Sequence, residues 1–314
     1  MSVPLTICYI TARREPHIDW FFQSLEREAR NTKGAPDYDV VVVDYYAREP
    51  LRKAELSTSA RIPFRHTPPK PTVWQGPHRL TTKDYFAPSN ARNTAICWAD
   101  SEWVAFVDDL SVLMPGWLNS VCEAMAGGYI ALGSYKKVKN LKVTGSNATA
   151  TYEEFDGGVD SRIKHCAKHN QAGPLVPAAG SWMFGCSFAI RVEDFLSVNG
   201  SDENCDSVGG EDYNLGIRLQ NAGKRFFYDL RMLTLESEEG HWTANPFVRW
   251  DKGTSPKDKS HALLKMCQQS TWAPNYFGPG GLKALRSAVL AGAPFPITQI
   301  PEHDWFDGQP LREM

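Results

Sequence analysis

The chain has 314 residues, 42% hydrophobic and 22% charged, with 34 basic against 36 acidic side chains and a net charge of -2. That length can bury a large core and suits one elaborated domain or a domain with an extension, and the composition is globular rather than disordered. A charge so near zero excludes a global field drawing the protein onto nucleic acid or an anionic membrane; the one basic strip, Lys136, Lys137, Lys139 and Lys142, reads first as a solvated strand or loop.

The N-terminus, Met1-Ser2-Val3-Pro4, runs straight into a strand-like stretch without a basic then apolar leader, and no stretch of 18 or more apolar residues follows. The expected compartment is therefore cytoplasmic. Seven cysteines without a CxxC pair fit reduced thiols, so the sequons at Asn147 and Asn199 carry no meaning.

Taken in order, Leu5 to Ile10 is a short strand. Ile18, Phe21, Phe22, Leu25 and Ala29 form the apolar stripe of a helix, and Val40-Val41-Val42-Val43, closed by Asp44, reads as a strand buried on both faces. Residues 45 to 88, rich in proline, are expected to be a long loop with little regular structure. A helix N-capped by Ser89 leads to a strand from Trp103 to Val107 that ends in Asp108-Asp109, and Leu118, Val121, Cys122 and Met125 mark the next helix. Repeated β-α-β units make an open α/β sheet whose ligands bind beyond the carboxyl ends of its strands, the edge where Asp44 and Asp108-Asp109 fall.

In the second half, Phe184 to Ile190 reads as a strand and a short helix starts at Val192. A Gly/Asp/Asn-rich loop follows from Asn199 to Gly210, then a helix from about Asp212 to Asn221 with Gly223 as its terminator. Strands are expected at Arg225 to Tyr228 and Met232 to Leu235. Beyond His241 the chain turns rich in Pro, Gly and Trp, with helical stretches near Ser260 to Gln268 and Leu282 to Leu290. The division is 1-245 for the main domain and 246-314 for an extension packing on it.

The order of these motifs resembles the family 2-like glycosyltransferases. It comprises Thr11-Ala12-Arg13-Arg14, Asp44, Ser89-Asn90-Ala91-Arg92-Asn93, Val104 to Asp109, Met114-Pro115-Gly116-Trp117-Leu118, Phe188-Ala189-Ile190, Val208-Gly209-Gly210-Glu211-Asp212, Arg218-Leu219 and Ala222-Gly223. The step from Glu211 to His241 is similar to that of β-1,4-galactosyltransferase-type enzymes. The resemblance covers roughly residues 5 to 245. Departures are Leu110 where a third acid often stands, Tyr45-Tyr46 after Asp44, and Val208 in place of a tryptophan.

The resemblance implies a GT-A fold, an open, twisted, mostly parallel sheet flanked by helices, with a C-terminal extension. It also implies transfer of a sugar from a nucleotide-sugar, by family habit a UDP-sugar, to a hydroxyl acceptor. Such a reaction expels a nucleoside diphosphate, whose developing charge a divalent cation neutralises. A carboxylate with an imidazole leans towards Mn²⁺ over Mg²⁺, and Asp109 with His241 are the expected metal ligands. Asp108 is expected on the donor ribose, Asp44 on the base edge, and Thr11 and Arg13 along the same pocket. Arg92 is expected on the diphosphate or bracing the Asp108-Asp109 loop. The acceptor hydroxyl needs a general base, and Asp212 takes that part with Glu211 beside it, which predicts single displacement with inversion.

His165 and His169 flank Cys166 at helical spacing, but without a second ligand pair they read as surface or core residues. Two competing readings remain: a sugar nucleotidyltransferase, against which stands the lack of glycine in Thr11 to Glu15, and a catalytically silent carbohydrate-binding module, against which stand the retained acids. Trp182, Trp242 and the Trp74 to Tyr85 loop are candidate acceptor platforms. The acceptor itself stays open among glycans, lipid-linked sugars, proteins and modified bases in DNA.

Overall fold

The computed structural model describes residues 3-57, 62-79, 84-145, 147-169, 173-207, 209-239, 257-275 and 277-296. Strands β1 (Leu5–Thr11), β2 (Tyr38–Asp44), β3 (Phe64–Thr67) and β4 (Trp103–Asp108) form its parallel half, in the order β3-β2-β1-β4. The sheet continues through β9 (Ser187–Arg191), β6 (Ile130–Thr144), β10 (Phe226–Ser237) and β5 (Ser111–Leu113), while β7 (Thr149–Glu153) pairs with β6 and β8 (Leu175–Ala178) with β10. β10 runs parallel to β6, and β5, β7, β8 and β9 run antiparallel to their partners. Helices are α1 (Ile18–Asn31), α2 (Arg52–Ser57), α3 (Pro88–Trp98), α4 (Trp117–Gly127), α5 (Ser161–Lys168), α6 (Val192–Ser197), α7 (Glu211–Asn221), α8 (Lys257–Gln269) and α9 (Gly281–Leu290).

Strand alternation divides the core in two. Leu5, Ile7 and Tyr9 of β1, Val40 and Val42 of β2, and Ala105 and Val107 of β4 face α1 and α4; Cys8, Ile10, Val41, Val43, Val104 and Phe106 face the other way, towards α3, α6, α7 and α9. All four valines are fully buried because both faces are covered, which is why the run contains no polar residue. The α1 stripe seats Phe21, Phe22 and Leu25 at 0% exposure, each contributing roughly 2 kcal/mol relative to an exposed side chain.

The segment expected to be an irregular loop contains both α2 and the edge strand β3. The strands expected at 225-228 and 232-235 are one strand, β10, whose pairing with β6 shifts between Asp229 and Leu233. At the start of α3 the cap differs from expectation as well. Ala87 occupies the N-cap and Pro88 follows, while the Asp206 carboxylate accepts from the peptide N–H of Ser89 at 2.7 Å and Asn90 at 3.0 Å. A side chain 117 residues away thus satisfies the free donors of the helix start.

α3 is buried from Pro88 to Cys97, so its polar residues need interior partners. Asn93 bonds the Ser201 carbonyl and Glu203, and Glu203 pairs with Lys70 at 2.7 Å. The polar stretch from Asn199 to Asp206 is consequently internal. Asn199, only 1% exposed, donates to Ala273 and Asn275 carbonyls and accepts from Leu282, tying the C-terminal helices to the core. Its sequon is sealed within the folded protein. α7 closes with Gly223 at φ 75, its N–H on Gln220 and that of Lys224 on Leu219, the double bond of a Schellman end. Among the described residues no helix is long and apolar enough to cross a membrane.

Candidate active site

Parallel register places three candidate side chains on one edge: Thr11 stands opposite Asp44, and Ile10 opposite Asp108. The chain then turns at Leu110, a buried residue at φ 60 whose N–H bonds the Pro16 carbonyl at 3.1 Å. A branched side chain in the left-handed region is costly, and here it lets Asp108 and Asp109 diverge before the chain enters β5.

Asp109 is gripped from β1. Thr11 donates its hydroxyl to Oδ2 at 2.8 Å, and Arg13, itself 4% exposed, donates Nε to Oδ1 at 3.1 Å. Thr11 and Arg13 therefore hold the acidic turn in place. Asp44 is likewise committed: it is fully buried and accepts from Arg52 at 2.7 Å and from the Tyr46 N–H at 2.9 Å, with His66 Nε2 at 3.1 Å. Arg52 passes the brace on by donating to the carbonyls of Arg13 and Arg14. What faces the neighbouring space is Tyr45. It helps line a cavity of about 280 Å³ together with Arg48, Pro68, Lys70, Thr72 and Gln75, just beyond the carboxyl ends of β2 and β3.

The second cluster joins β4, α3 and α7. Gly209 and Gly210 both stand at φ 78, which a side chain would resist, and they deliver Glu211 and Asp212 as the first residues of α7. Arg92 from α3, 3% exposed, donates Nη1 to Glu211 at 3.1 Å, with Asp108 3.9 Å from Nη2. Asp212 accepts from the N–H of Tyr213 at 2.7 Å and of Gly185 at 3.2 Å. Burial, then the Glu211 charge, pushes Asp212 up to about 6 against the pull of Arg92. Burial also raises Asp108, to about 7, with Arg92 opposing and the acids at 109, 211 and 212 adding to it. Its side chain keeps 42% of its surface, so water screens part of this crowding.

The structure adds an acid that strand periodicity left out. Glu236, next to last in β10, lies opposite Ser111, two residues past Asp109. Burial, then the charge of Asp108, raises it to about 8 while Lys137 opposes. A sequence signal existed in the Thr234-Leu235-Glu236 alternation, had the strand been carried one residue further.

A divalent cation would find hard carboxylate oxygens here. Asp108 is the less encumbered of the adjacent pair, and Glu236 carries a buried oxygen, Oε1, without a hydrogen-bond partner. This donor chemistry fits Mn²⁺ or Mg²⁺. Among the described residues no three His, Cys, Asp or Glu side chains already converge as a metal cage. The expected ligand His241 lies outside the described residues, as does Trp242. Trp74 is 2% exposed and donates to the Glu203 carbonyl, so it serves the interior, whereas Trp182 is half-buried, packing edge-on against Tyr228 while keeping part of its surface open. A second cavity, of about 350 Å³, opens between α7 and α8, lined by Gly209, Gly210, Tyr213, Leu263 and Cys267.

Residues 173–232, which include Glu211 and Asp212, match the family described as the N-terminal domain of galactosyltransferase. A stretch of 143 residues is 29% identical to the pre-mycofactocin glycosyltransferase of Mycobacterium tuberculosis, in strains CDC 1551 / Oshkosh and ATCC 25618 / H37Rv, covering 45% of this chain and 28% of that protein. The match thus spans less than a third of those relatives' length. A solved structure of GalNAc-T7 with UDP, GalNAc and Mn²⁺ superposes with a TM-score of 0.47 at 10% identity, over 75% of this chain and 43% of that one. The galactosyltransferase segment and the sequence relatives are both glycosyltransferases, and their likeness to this chain supports glycosyltransferase chemistry.

Proposed function

We propose that the chain transfers a sugar from a nucleotide-sugar to a hydroxyl acceptor by a single inverting displacement. The observation that carries this reading is the meeting of Asp108, Arg92, Glu211 and Asp212, from β4, α3 and α7, at the carboxyl edge of the sheet. Asp212, raised to about 6, is ionised at neutral pH yet basic enough to take a proton from an attacking hydroxyl. Glu211, held by Arg92, positions acceptor or donor hydroxyls beside it. Arg92 lowers the proton affinity of Asp108 and Asp212 in a crevice that would otherwise favour protons.

Asp109 is the metal ligand expected from the sequence and Asp108 the expected ribose contact, but Thr11 and Arg13 occupy the Asp109 carboxylate. We therefore assign the divalent cation, Mn²⁺ or Mg²⁺, to Asp108 with His241, and Asp109 to fixing the turn. When bound, the cation supplies Lewis-acid neutralisation of the departing diphosphate. The nucleotide, taken as UDP on the resemblance, is assigned to the space beside Tyr45. The division at residue 245 is kept, with α8 and α9 as parts of an extension that shapes the acceptor side through the cavity at Tyr213. Seven free thiols, five of them buried, suit a reducing cytosol.

The test is donor hydrolysis over UDP-, GDP- and dTDP-sugars with and without Mn²⁺. Turnover is expected with metal and is expected to fall at least about a hundredfold in Asp212→Asn. Full turnover in that variant removes Asp212 as base, and no hydrolysis or transfer with any donor removes the transferase reading.

A further inference from the structure

Leu235 packs with Val112 and Val138 on one face of the sheet, so Glu236 and its ladder partner Ser111 project from the other. The Ser111 hydroxyl bonds the Asp109 carbonyl at 3.3 Å, and the N–H of Ser237 bonds the Leu110 carbonyl at 3.2 Å. Glu236 is thereby locked beside the turn that presents Asp108, at the point where Leu110 contributes only an apolar side chain. It is 9% exposed, and its Oε1 accepts no hydrogen bond.

A buried carboxylate oxygen left without a donor costs free energy that a fold normally avoids by pairing it. The guanidinium groups of the acidic site are engaged elsewhere: Arg13 holds Asp109 and Arg92 holds Glu211. Lys137, opposite on β6, acts through its charge without donating to Oε1. An oxygen donor kept unpaired beside a second carboxylate is what a hard cation requires.

We infer that Glu236 is a ligand of the divalent cation, joining Asp108 at a seat formed where the ends of β4 and β10 meet. This rests on the metal-dependent transferase reading above and adds to it a ligand from the last strand.

The test measures MnCl₂ binding to the full chain by titration calorimetry and by electron paramagnetic resonance, alongside thermal melts with and without Mn²⁺. Glu236→Gln is expected to weaken Mn²⁺ binding by about tenfold or more and to lose most of the Mn²⁺-induced rise in Tm. At about pH 8.5 its metal-free Tm is expected to equal or exceed that of the native chain, because the buried charge present there has been removed. Should Glu236→Gln fold poorly, Glu236→Asp answers the same question, with weakened binding expected from the withdrawn carboxylate. Unchanged Mn²⁺ affinity in either folded variant overturns the assignment and leaves the transferase reading standing. A native chain that binds no Mn²⁺ and turns donor over in chelator overturns the ligand and the metal dependence together, while the transferase reading survives.

Discussion

Arg92 and Glu211 meet at 3.1 Å across 119 residues of sequence, and that contact is the hinge between the parallel half of the sheet and the helix carrying Asp212. The guanidinium lies among Glu211, Asp108 and Asp212 and lowers the proton affinity of both aspartates. Arg92→Met should therefore act twice. Removing one partner of a buried pair lowers stability by about 3 kcal/mol, and the acid limb of the pH-activity profile moves to higher pH as Asp212 holds its proton longer. A profile that keeps its acid limb while activity falls would show that Arg92 acts only by positioning.

Gly185 tests the same contact from the other side. A Cβ built there would stand 1.7 Å from Nη2 of Arg92, so any side chain must push the guanidinium off Glu211. Gly185→Ala is expected to lose ~1–3 kcal/mol, as overpacked sites do, and to reproduce the pH shift of Arg92→Met. Gly210 is the contrast. Its added Cβ meets nothing within 4 Å, but its φ of 78 resists a side chain, so Gly210→Ala costs ~1 kcal/mol through backbone strain alone. Chemical denaturation of the three variants separates the effects.

Asp44 gives a prediction opposite to the one its position after a strand invites. With Arg52 and the Tyr46 N–H donating to it and His66 alongside, Asp44→Ala should destabilise the fold by ~3 kcal/mol or more. The loss of nucleotide affinity should then be matched by Arg52→Ala, which touches the same brace and not the cavity. Isothermal titration with UDP alongside urea melts decides it: a collapse of affinity with stability intact would return Asp44 to the base edge.

Sequence reading succeeded where one element's own residues carry the signal. The valine run from 40 to 43, the α1 stripe and the two glycines before Glu211 each declare their structure locally, since burial on both faces, helical periodicity and φ 78 are properties of the segment itself. It failed where pairing decides. β3 has four residues and α2 six, too few for a period to emerge, and β3 exists because β2 offers it an edge. Nothing near Asp44 foretold that His66, 22 residues on, would reach it, nor that Asp206 would cap α3. The strand expected at 232-235 stops one residue short of Glu236, whose position opposite Ser111 comes from the antiparallel pairing with β5.

The crowding of acids also fixes how metal-free stability responds to pH. Asp212 rises to about 6, Asp108 to about 7 and Glu236 to about 8, all mainly through burial. In the unfolded chain these carboxyls titrate near pH 4, so between about pH 4 and pH 8 the folded state binds more protons than the unfolded one. Stability must then fall as pH rises through that window, and the contribution is complete only below the unfolded values. Melts in chelator should accordingly give a higher Tm at about pH 5.5 than at about pH 8.5, with most of the slope coming from Glu236 and Asp212, because water screens the half-exposed Asp108. Glu236→Gln should flatten the slope at its alkaline end, and Asp212→Asn at its acidic end. A Tm that climbs with pH across this window in the native chain would mean that the acids are compensated in the free protein and that no cation is needed to hold them together.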